Sequence, residues 1–307
     1  MEKNWDIIIV GGGPAGLAAA IYCGRSLRKT LVIEKQVFGG QIVNADIIEN
    51  YPGFADPILP AELMEQMSKQ AQRFGVVLEN DEVTSLQLEN NAWRVGVYDG
   101  FYTAKAIIYA AGSKHRFFNV PGEKELLGRG VSVCATCDAP FFLNRKVAVL
   151  GGGDTALAEA LHLAKFAAEV HVIHRRDQLR AEKILQERAF KNEKITFHWD
   201  MEVLNFKGAQ RLEEIGFRNK KTAAVGSLVF DGAFLAIGTT PNTELIRDYA
   251  ELDEAGYAVT DISLATKSSG LFVAGEVIKG NRRQVAISVG MGVQASLAAE
   301  TYLASLE

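Results

Sequence analysis

The sequence predicts an α/β protein built around two nucleotide-binding units of one kind. Three observations carry this. A strand–turn–helix pattern occurs twice, as IIIVGGGPAGLAAA at residues 7–20 and VAVLGGGDTALAEA at residues 147–160. The offset is 140 residues, with six identities in fourteen positions. In each copy a β-branched apolar run gives way to glycines and then to an Ala/Leu-rich helical pattern. The same offset continues without gaps to LVIEK at 31–35 and HVIHR at 171–175, the end of each unit's second strand.

The glycines have a physical task. In Gly11-x-Gly13-x-x-Gly16 the first permits a sharp turn, and the second lets the backbone approach a pyrophosphate. The third lets the helix pack close on the strand. Phosphates then sit at the helix N-terminus, where free N–H groups and the helix dipole favour negative charge. The second copy reads Gly151-x-Gly153-x-x-Ala156. One such fingerprint is weak; two in strand–turn–helix context within one chain are strong.

At the end of the second strand an acid normally accepts hydrogen bonds from a ribose 2′-hydroxyl. The first copy supplies Glu34, which suits FAD or NAD. The second copy has His174 there, followed by Arg175 and Arg176, with Arg180 one helical turn further on. Cations in place of the acid suit a 2′-phosphate, since Arg offers forked hydrogen bonds; this site reads as NADP.

The chain has 307 residues, about two domains' worth, and 48% are hydrophobic, enough for ordinary cores. Net charge is −4 with no long run of one sign, which argues against nucleic acid or an anionic membrane surface as a partner. No apolar stretch approaches the roughly 18–20 residues a membrane span needs. MEKNWDIIIVGGG at the start lacks the pattern of a secretory signal, so the expected location is cytoplasmic.

Only three cysteines occur, Cys23, Cys134 and Cys137, too few for a disulfide scaffold. Cys23 in AAAIYCGRS reads as a small buried hydrophobe. Cys134-Ala135-Thr136-Cys137 lies ten residues before the second glycine-turn strand. A structural zinc site needs about four ligands, and neither a second CxxC nor a nearby histidine pair is present, so no metal is expected. The segment also leads into a dinucleotide unit rather than a thioredoxin-type βαβ. The remaining reading is a dithiol/disulfide that exchanges electrons with a bound cofactor. Asp138 follows at once, placed either to move a proton to or from a sulfur or to cap the next segment.

These residues resemble those of the low-molecular-weight thioredoxin reductases, which are NADPH- and FAD-dependent pyridine nucleotide-disulfide oxidoreductases. VSVCATCDAPFF at 131–142, with PGE at 121–123 and LGRG at 127–130 ahead of it, is similar to that family's redox motif. GGGDTALAEA and HRRDQLRAEKI resemble its NADPH motifs. GGPAGLAAAIY, GGQ at 39–41 and ENYPGF at 49–54 resemble its FAD motifs. IGTTPNT at 237–243, SSGLFVAGEV at 268–277 and RRQVAISVGMG at 282–292 complete the match along the whole chain, in order.

The resemblance implies two Rossmann-like dinucleotide-binding domains of the three-layer ββα type, the second inserted into the first. The FAD domain is expected over 1–117 and 245–307, and the NADPH domain with the redox cysteines over 118–244. Two crossings, at 115–121 and 238–244, would act as a hinge, because nicotinamide and cysteines cannot share one flavin face. To the FAD glycines and Glu34 the resemblance adds Pro14, Ala15, Lys35, Gly40, Gln41, Asn50, Val83, Ala111 and Gly112. From the C-terminal segment it adds Gly275, Glu276, Arg283, Gln284 and Val285. For NADPH it adds Asp154, Thr155, Ile237 and Gly238. Glu276 departs from the family's usual Asp, and Ala139 replaces a common glycine.

The implied reaction passes electrons from NADPH through FAD to the Cys134–Cys137 disulfide and on to thioredoxin or a thioredoxin-like protein. Cys137 is implied to face the flavin, Cys134 to attack the partner's disulfide, and Asp138 to act as acid and base. A homodimer is implied as well. The alternatives are a disulfide reductase of the same fold fed by another donor such as ferredoxin, or a dithiol oxidase. Both are expected to lack the middle glycine turn and the HRR cluster. A redox sensor without turnover is a third class. Trp5, Trp93 and Trp199 read as packing residues, and His162 as a helix-surface or core-edge residue. Residues 59–75 read as an amphipathic helix, with Met64 and Met67 in the core or at a dimer contact.

Overall fold

A computed structural model describes residues 3–44, 47–281 and 284–307. Contacts divide the chain into two compact units, Met1–Lys114 with Thr240–Glu307, and His115–Thr239. Both divisions fall a few residues N-terminal of the boundaries read from the sequence.

The first unit opens with β1 (Asn4–Val10), α1 (Pro14–Arg25), β2 (Thr30–Glu34), α2 (Pro60–Arg73) and β3 (Val77–Asn80). It continues with β4 (Ser85–Glu89), β5 (Ala92–Val97) and β6 (Gly100–Tyr109), and the chain leaves through β7 (Ser113–His115). Strands β3, β2, β1 and β6 are parallel neighbours in that order. Ile7, Ile8 and Ile9 are fully buried, as expected for a parallel strand covered on both faces. Strands β5 and β4 extend the sheet antiparallel.

In the second unit, β8 (Val131–Ser132) and α3 (Ala135–Asp138) precede β9 (Lys146–Gly151), α4 (Asp154–Leu163) and β10 (Glu169–Ile173). Then come α5 (Lys183–Phe190), β11 (Ile195–His198), β12 (Met201–Lys207), β13 (Glu214–Asn219), β14 (Val225–Val229) and β15 (Gly232–Ala236). The order β11-β10-β9-β15-β8 is parallel throughout. Alternate residues face two different cores. Val147, Val149, Val170 and Val172 pack with Leu157 and Ala160 of α4. Ala148, Leu150 and Ile173 pack with Val203, Ile215 and Phe217 of the antiparallel β12-β13-β14 sheet. That alternation is what makes three layers from one chain.

The return brings β16 (Thr239–Pro241), β17 (Glu251–Leu252), β18 (Ala258–Val259), β19 (Leu271–Val273) and α6 (Val285–Ala304). Strand β19 pairs parallel with β6. Helix α6 packs on α1 so closely that a Cβ at Gly292 would lie 2.0 Å from the Ala15 carbonyl oxygen. No helix among the described residues is long and apolar enough to cross a membrane.

Met64 and Met67 of α2 are core residues. Trp5 and Trp93 are buried, and Trp199 stacks on Phe197. His162 is buried rather than on the helix surface, with its ring 5.5 Å from that of Phe166. Cys23 is buried, and burial together with the charge of Glu300 pushes its thiol up to about 12.

Arg28, after α1, clamps α6. Its Nε and Nη2 donate to both oxygens of Glu300 at 2.8 and 2.7 Å, and Nη1 donates to Glu307 at 2.6 Å. The Arg28 side chain is 15% exposed, so the forked pair is only partly screened. Arg28→Met is expected to lower stability by about 1–2 kcal/mol, read as a lower urea midpoint. Arg28 holds the Glu300 carboxyl below its ordinary value of 4.5. The contribution is therefore complete above that value and is lost as pH falls through the depressed one. The difference between variant and parent should close in acid.

Candidate active site

The first glycine turn is set by sterics. At Gly11, with φ +103°, a Cβ would lie 2.3 Å from the carbonyl oxygen of Ala110, just past the end of β6. The second copy repeats this: a Cβ at Gly151 would lie 2.2 Å from the carbonyl oxygen of Ala236 on β15. The residues that cap the two helices at their N-termini lie in the open instead. A Cβ at Gly13 would meet only the Gly39 carbonyl, at 3.7 Å, and one at Gly153 would meet nothing within 4 Å. Neither α1 nor α4 has a side chain capping its first turn. Uncapped N–H groups next to open backbone form an anion cradle, so both turns fit a pyrophosphate.

Glu34 is aimed at the first turn. Its Oε2 accepts the Gly12 N–H at 2.7 Å, and Oε1 accepts the Gln36 N–H at 2.9 Å. Several of the remaining FAD expectations lie near the same turn or are joined to one another. Pro14 is the first residue of α1, and a Cβ at Gly40 would lie 3.3 Å from the Gly13 Cα. A Cβ at Gly275 would lie 2.9 Å from that of Ala15, on the turn before buried Gly16. Gln41 donates to the Ser113 carbonyl, and the Ser113 hydroxyl donates to Glu276. Asn50 donates to Gln284 at 3.0 Å. Asn242 ties Ala111 and Gly112 by donating to their carbonyls at 2.9 and 3.0 Å.

Val83 and Val285 are partly buried against the core. Lys35 pairs with Glu82 at 2.7 Å on the surface. Arg283 lies outside the described residues. The longer Glu276 is thus positioned by a serine hydroxyl, a partner that the motif alone does not reveal.

In the second unit His174 occupies the place of Glu34, but beneath the turn. A Cβ at Gly152 would lie 2.6 Å from its Nδ1, and its Nε2 is buried without a partner among the described residues. Burial first, and the charges of Arg180, Arg176 and Arg175, hold its imidazole below the ordinary histidine range. Positive charge is therefore presented by the arginines. Arg175, Arg176 and Arg180 are exposed, and the Arg180 N–H donates to the Gly152 carbonyl at 2.8 Å. No carboxylate pairs with these guanidiniums among the described residues, which leaves them open to a phosphate.

Asp154 accepts the Glu182 N–H at 2.7 Å, Thr155 is exposed and Ala156 is buried against the turn. Ile237 is half-buried, and the Gly238 carbonyl accepts the Arg116 N–H at 2.9 Å.

Cys134 and Cys137 are joined in a disulfide with Cα atoms 5.4 Å apart. Cys134 is the N-cap of α3, and its Sγ accepts the Cys137 N–H at 3.2 Å. Ser132, which the sequence did not single out, accepts the Cys134 N–H at 3.0 Å. Cys134 is half-buried and Cys137 is exposed. Asp138 makes no capping hydrogen bond to the 3-10 turn that follows, so the capping role weighed for it is not what its side chain does. Phe141 and Leu143, shortly after Cys137 in the chain, stand 79% and 60% exposed. The acid Glu159 on α4 lies against the N–H of Ala135; the sequence did not single it out, as an acid between the apolar residues Leu157 and Leu161.

The sequence profile of the family described as pyridine nucleotide-disulphide oxidoreductase matches residues 5–292. A protein named thioredoxin reductase from Treponema pallidum is 43% identical over 307 residues, covering 100% of both chains. One of the same name from Streptomyces coelicolor is 45% identical, covering 100% of this chain and 96% of that one. Among solved structures, thioredoxin reductase from Lactococcus lactis superposes with a TM-score of 0.96 at 40% identity, over 98% of this chain and 99% of that one. The T. acidophilum thioredoxin reductase gives 0.94 at 30% identity over 100% of each.

Proposed function

The chain belongs to the pyridine nucleotide-disulphide oxidoreductase family, and from that premise we propose how its residues carry out thioredoxin-disulfide reduction. It is an oxidoreductase that uses a flavin and a pyridine nucleotide, and thioredoxin is its protein substrate. The observation that carries our reading is the Cys134–Cys137 disulfide, set at the start of a unit with its own phosphate cradle and three exposed arginines that no carboxylate pairs among the described residues.

In this reading Gly13, the α1 N-terminus and Glu34 hold the pyrophosphate and ribose of FAD. Glu276, fixed by Ser113, and the linked pair Asn50 and Gln284 line the same site. Gly153 and the α4 N-terminus hold the second pyrophosphate, while Arg175, Arg176 and Arg180 select the 2′-phosphate of NADPH. When bound, the two cofactors would supply hydride transfer and an electron pair for reducing a disulfide.

The protein's own chemistry follows at sulfur. Opening the disulfide leaves Cys134 Sγ facing the Cys137 N–H, which stabilises a thiolate there. That thiolate attacks thioredoxin's disulfide, and Cys137 then attacks Cys134 Sγ in the mixed disulfide. Thioredoxin leaves as a dithiol, and the Cys134–Cys137 bond re-forms. Asp138, without a capping contact, gives or takes the proton at a sulfur. Exposed Phe141 and Leu143, shortly after Cys137 in the chain, offer the partner an apolar landing.

The test is anaerobic. Flavin-loaded protein is mixed with NADPH, and separately with NADH, while visible flavin absorbance is followed; thioredoxin disulfide is then added. Rapid bleaching with NADPH, slow bleaching with NADH, and recovery of colour on adding thioredoxin are expected. An absorbance unchanged by either nucleotide would sink the NADPH assignment.

A further inference from the structure

We propose that Glu159 is a positioning residue of the redox turn: its carboxyl anchors the first N–H of α3 and so fixes the geometry in which Cys134 and Cys137 alternate between disulfide and dithiol. The inference rests on reading these two cysteines as the redox couple.

Helix α3 is one turn long, too short to hold its shape alone. It is seated on α4 by Ala135 and Ala139, both fully buried with Ala156 and Ala160. Glu159 lies on α4 between those two alanines, and its carboxyl group lies against the N–H of Ala135, the residue that follows Cys134. Its other oxygen, Oε2, is buried and has no hydrogen-bond partner among the described residues. Burial pushes the carboxyl up to about 8, so the acid is mostly protonated at neutral pH.

A buried polar atom left without a partner is costly. A position that only filled space would be served at least as well by leucine. What the acid contributes is an acceptor at the base of the turn. That matters most once the disulfide opens. The covalent bond holds the turn while oxidised. Afterwards Cys134 Sγ keeps the Cys137 N–H only if the first turn of α3 stays formed. Loss of the anchor therefore weakens the dithiol form more than the disulfide form.

The experiment uses the full-length, flavin-loaded protein equilibrated anaerobically with mixtures of reduced and oxidised dithiothreitol. The reagent gives up two electrons and two protons as it closes to its cyclic disulfide, and the protein S–S bond opens to two thiols. Acid quenching, alkylation and mass measurement give the dithiol fraction. Glu159→Gln keeps a neutral acceptor of the same shape and should stay within about twofold of the parent. Glu159→Met keeps the bulk without the acceptor, and Glu159→Ala removes both; each should shift the equilibrium about tenfold toward the disulfide.

Thermal midpoints measured alongside separate general loss of fold from the redox shift. The inference is overturned if Glu159→Met matches the parent, or if Glu159→Gln shifts as far as Glu159→Met. A parent disulfide that no mixture reduces would overturn the redox reading itself, and this inference with it.

Discussion

Cys137→Ser is expected to lower thioredoxin reduction by about 10³-fold or more, because no second sulfur remains to close the turnover. The nucleotide-dependent bleaching of the flavin should persist in the same variant, which separates the cofactor half of the path from the sulfur half. The structure gives opposing hints about which sulfur meets thioredoxin. Exposure favours Cys137, whereas the N–H aimed at Cys134 Sγ favours a thiolate at Cys134. The hydrogen bond decides, because nucleophilicity requires the thiolate and not mere access. Cys137→Ser should therefore accumulate a stable mixed disulfide between Cys134 and thioredoxin, visible as a mass shift that a reductant reverses. Cys134→Ser should accumulate little. An equal yield from both variants would remove the assignment of Cys134 as the attacking group.

Arg175→Ala combined with Arg176→Ala is expected to raise KM for NADPH about 100-fold, since each arginine offers a charge-assisted bond to the 2′-phosphate. KM for NADH should move by no more than a few-fold, because that nucleotide has no 2′-phosphate for the arginines to meet. The effect lies at the lower end of what two such bonds can give, as both side chains are exposed and screened. Raising the ionic strength should shrink the difference between the nucleotides in the parent and leave the double variant nearly unaffected. Equal losses with both nucleotides would mean that the arginines hold the pyrophosphate, and the NADPH preference would need another source.

Much of the fold was legible because it repeats. The two glycine turns and the ends of the strands beside them are local features, and their strand–turn–helix setting appears as the spacing requires. The alignment of Glu34 with His174 holds in space too, since they lie against Gly12 and Gly152, the matching glycines of the two turns. What the alignment could not show is that His174 sits below the backbone, leaving the outward charge to its arginine neighbours. A residue at a strand end can face either side of a turn, and the choice depends on packing that a single sequence does not display.

Long-range pairs were harder still. Asn50 and Gln284 meet across 234 residues, and Ser113 reaches Glu276 across 163. Each of the four sits in or beside a recognisable motif, yet no periodicity in the chain links one motif to another. Glu159 left no signal beyond being an acid in an apolar stretch, and its meaning comes only from the N–H that it meets.

Cys23 has a practical consequence. Its sulfur is walled into the core and held as an un-ionised thiol, while the other two cysteines lie on a half-buried to exposed turn. A reduced, folded molecule should therefore take up two alkyl tags and an unfolded one three. The third tag is a built-in gauge of foldedness. Read by mass in an unpurified extract, it would count the fraction of molecules that have opened, without a dye, a fusion or an activity assay.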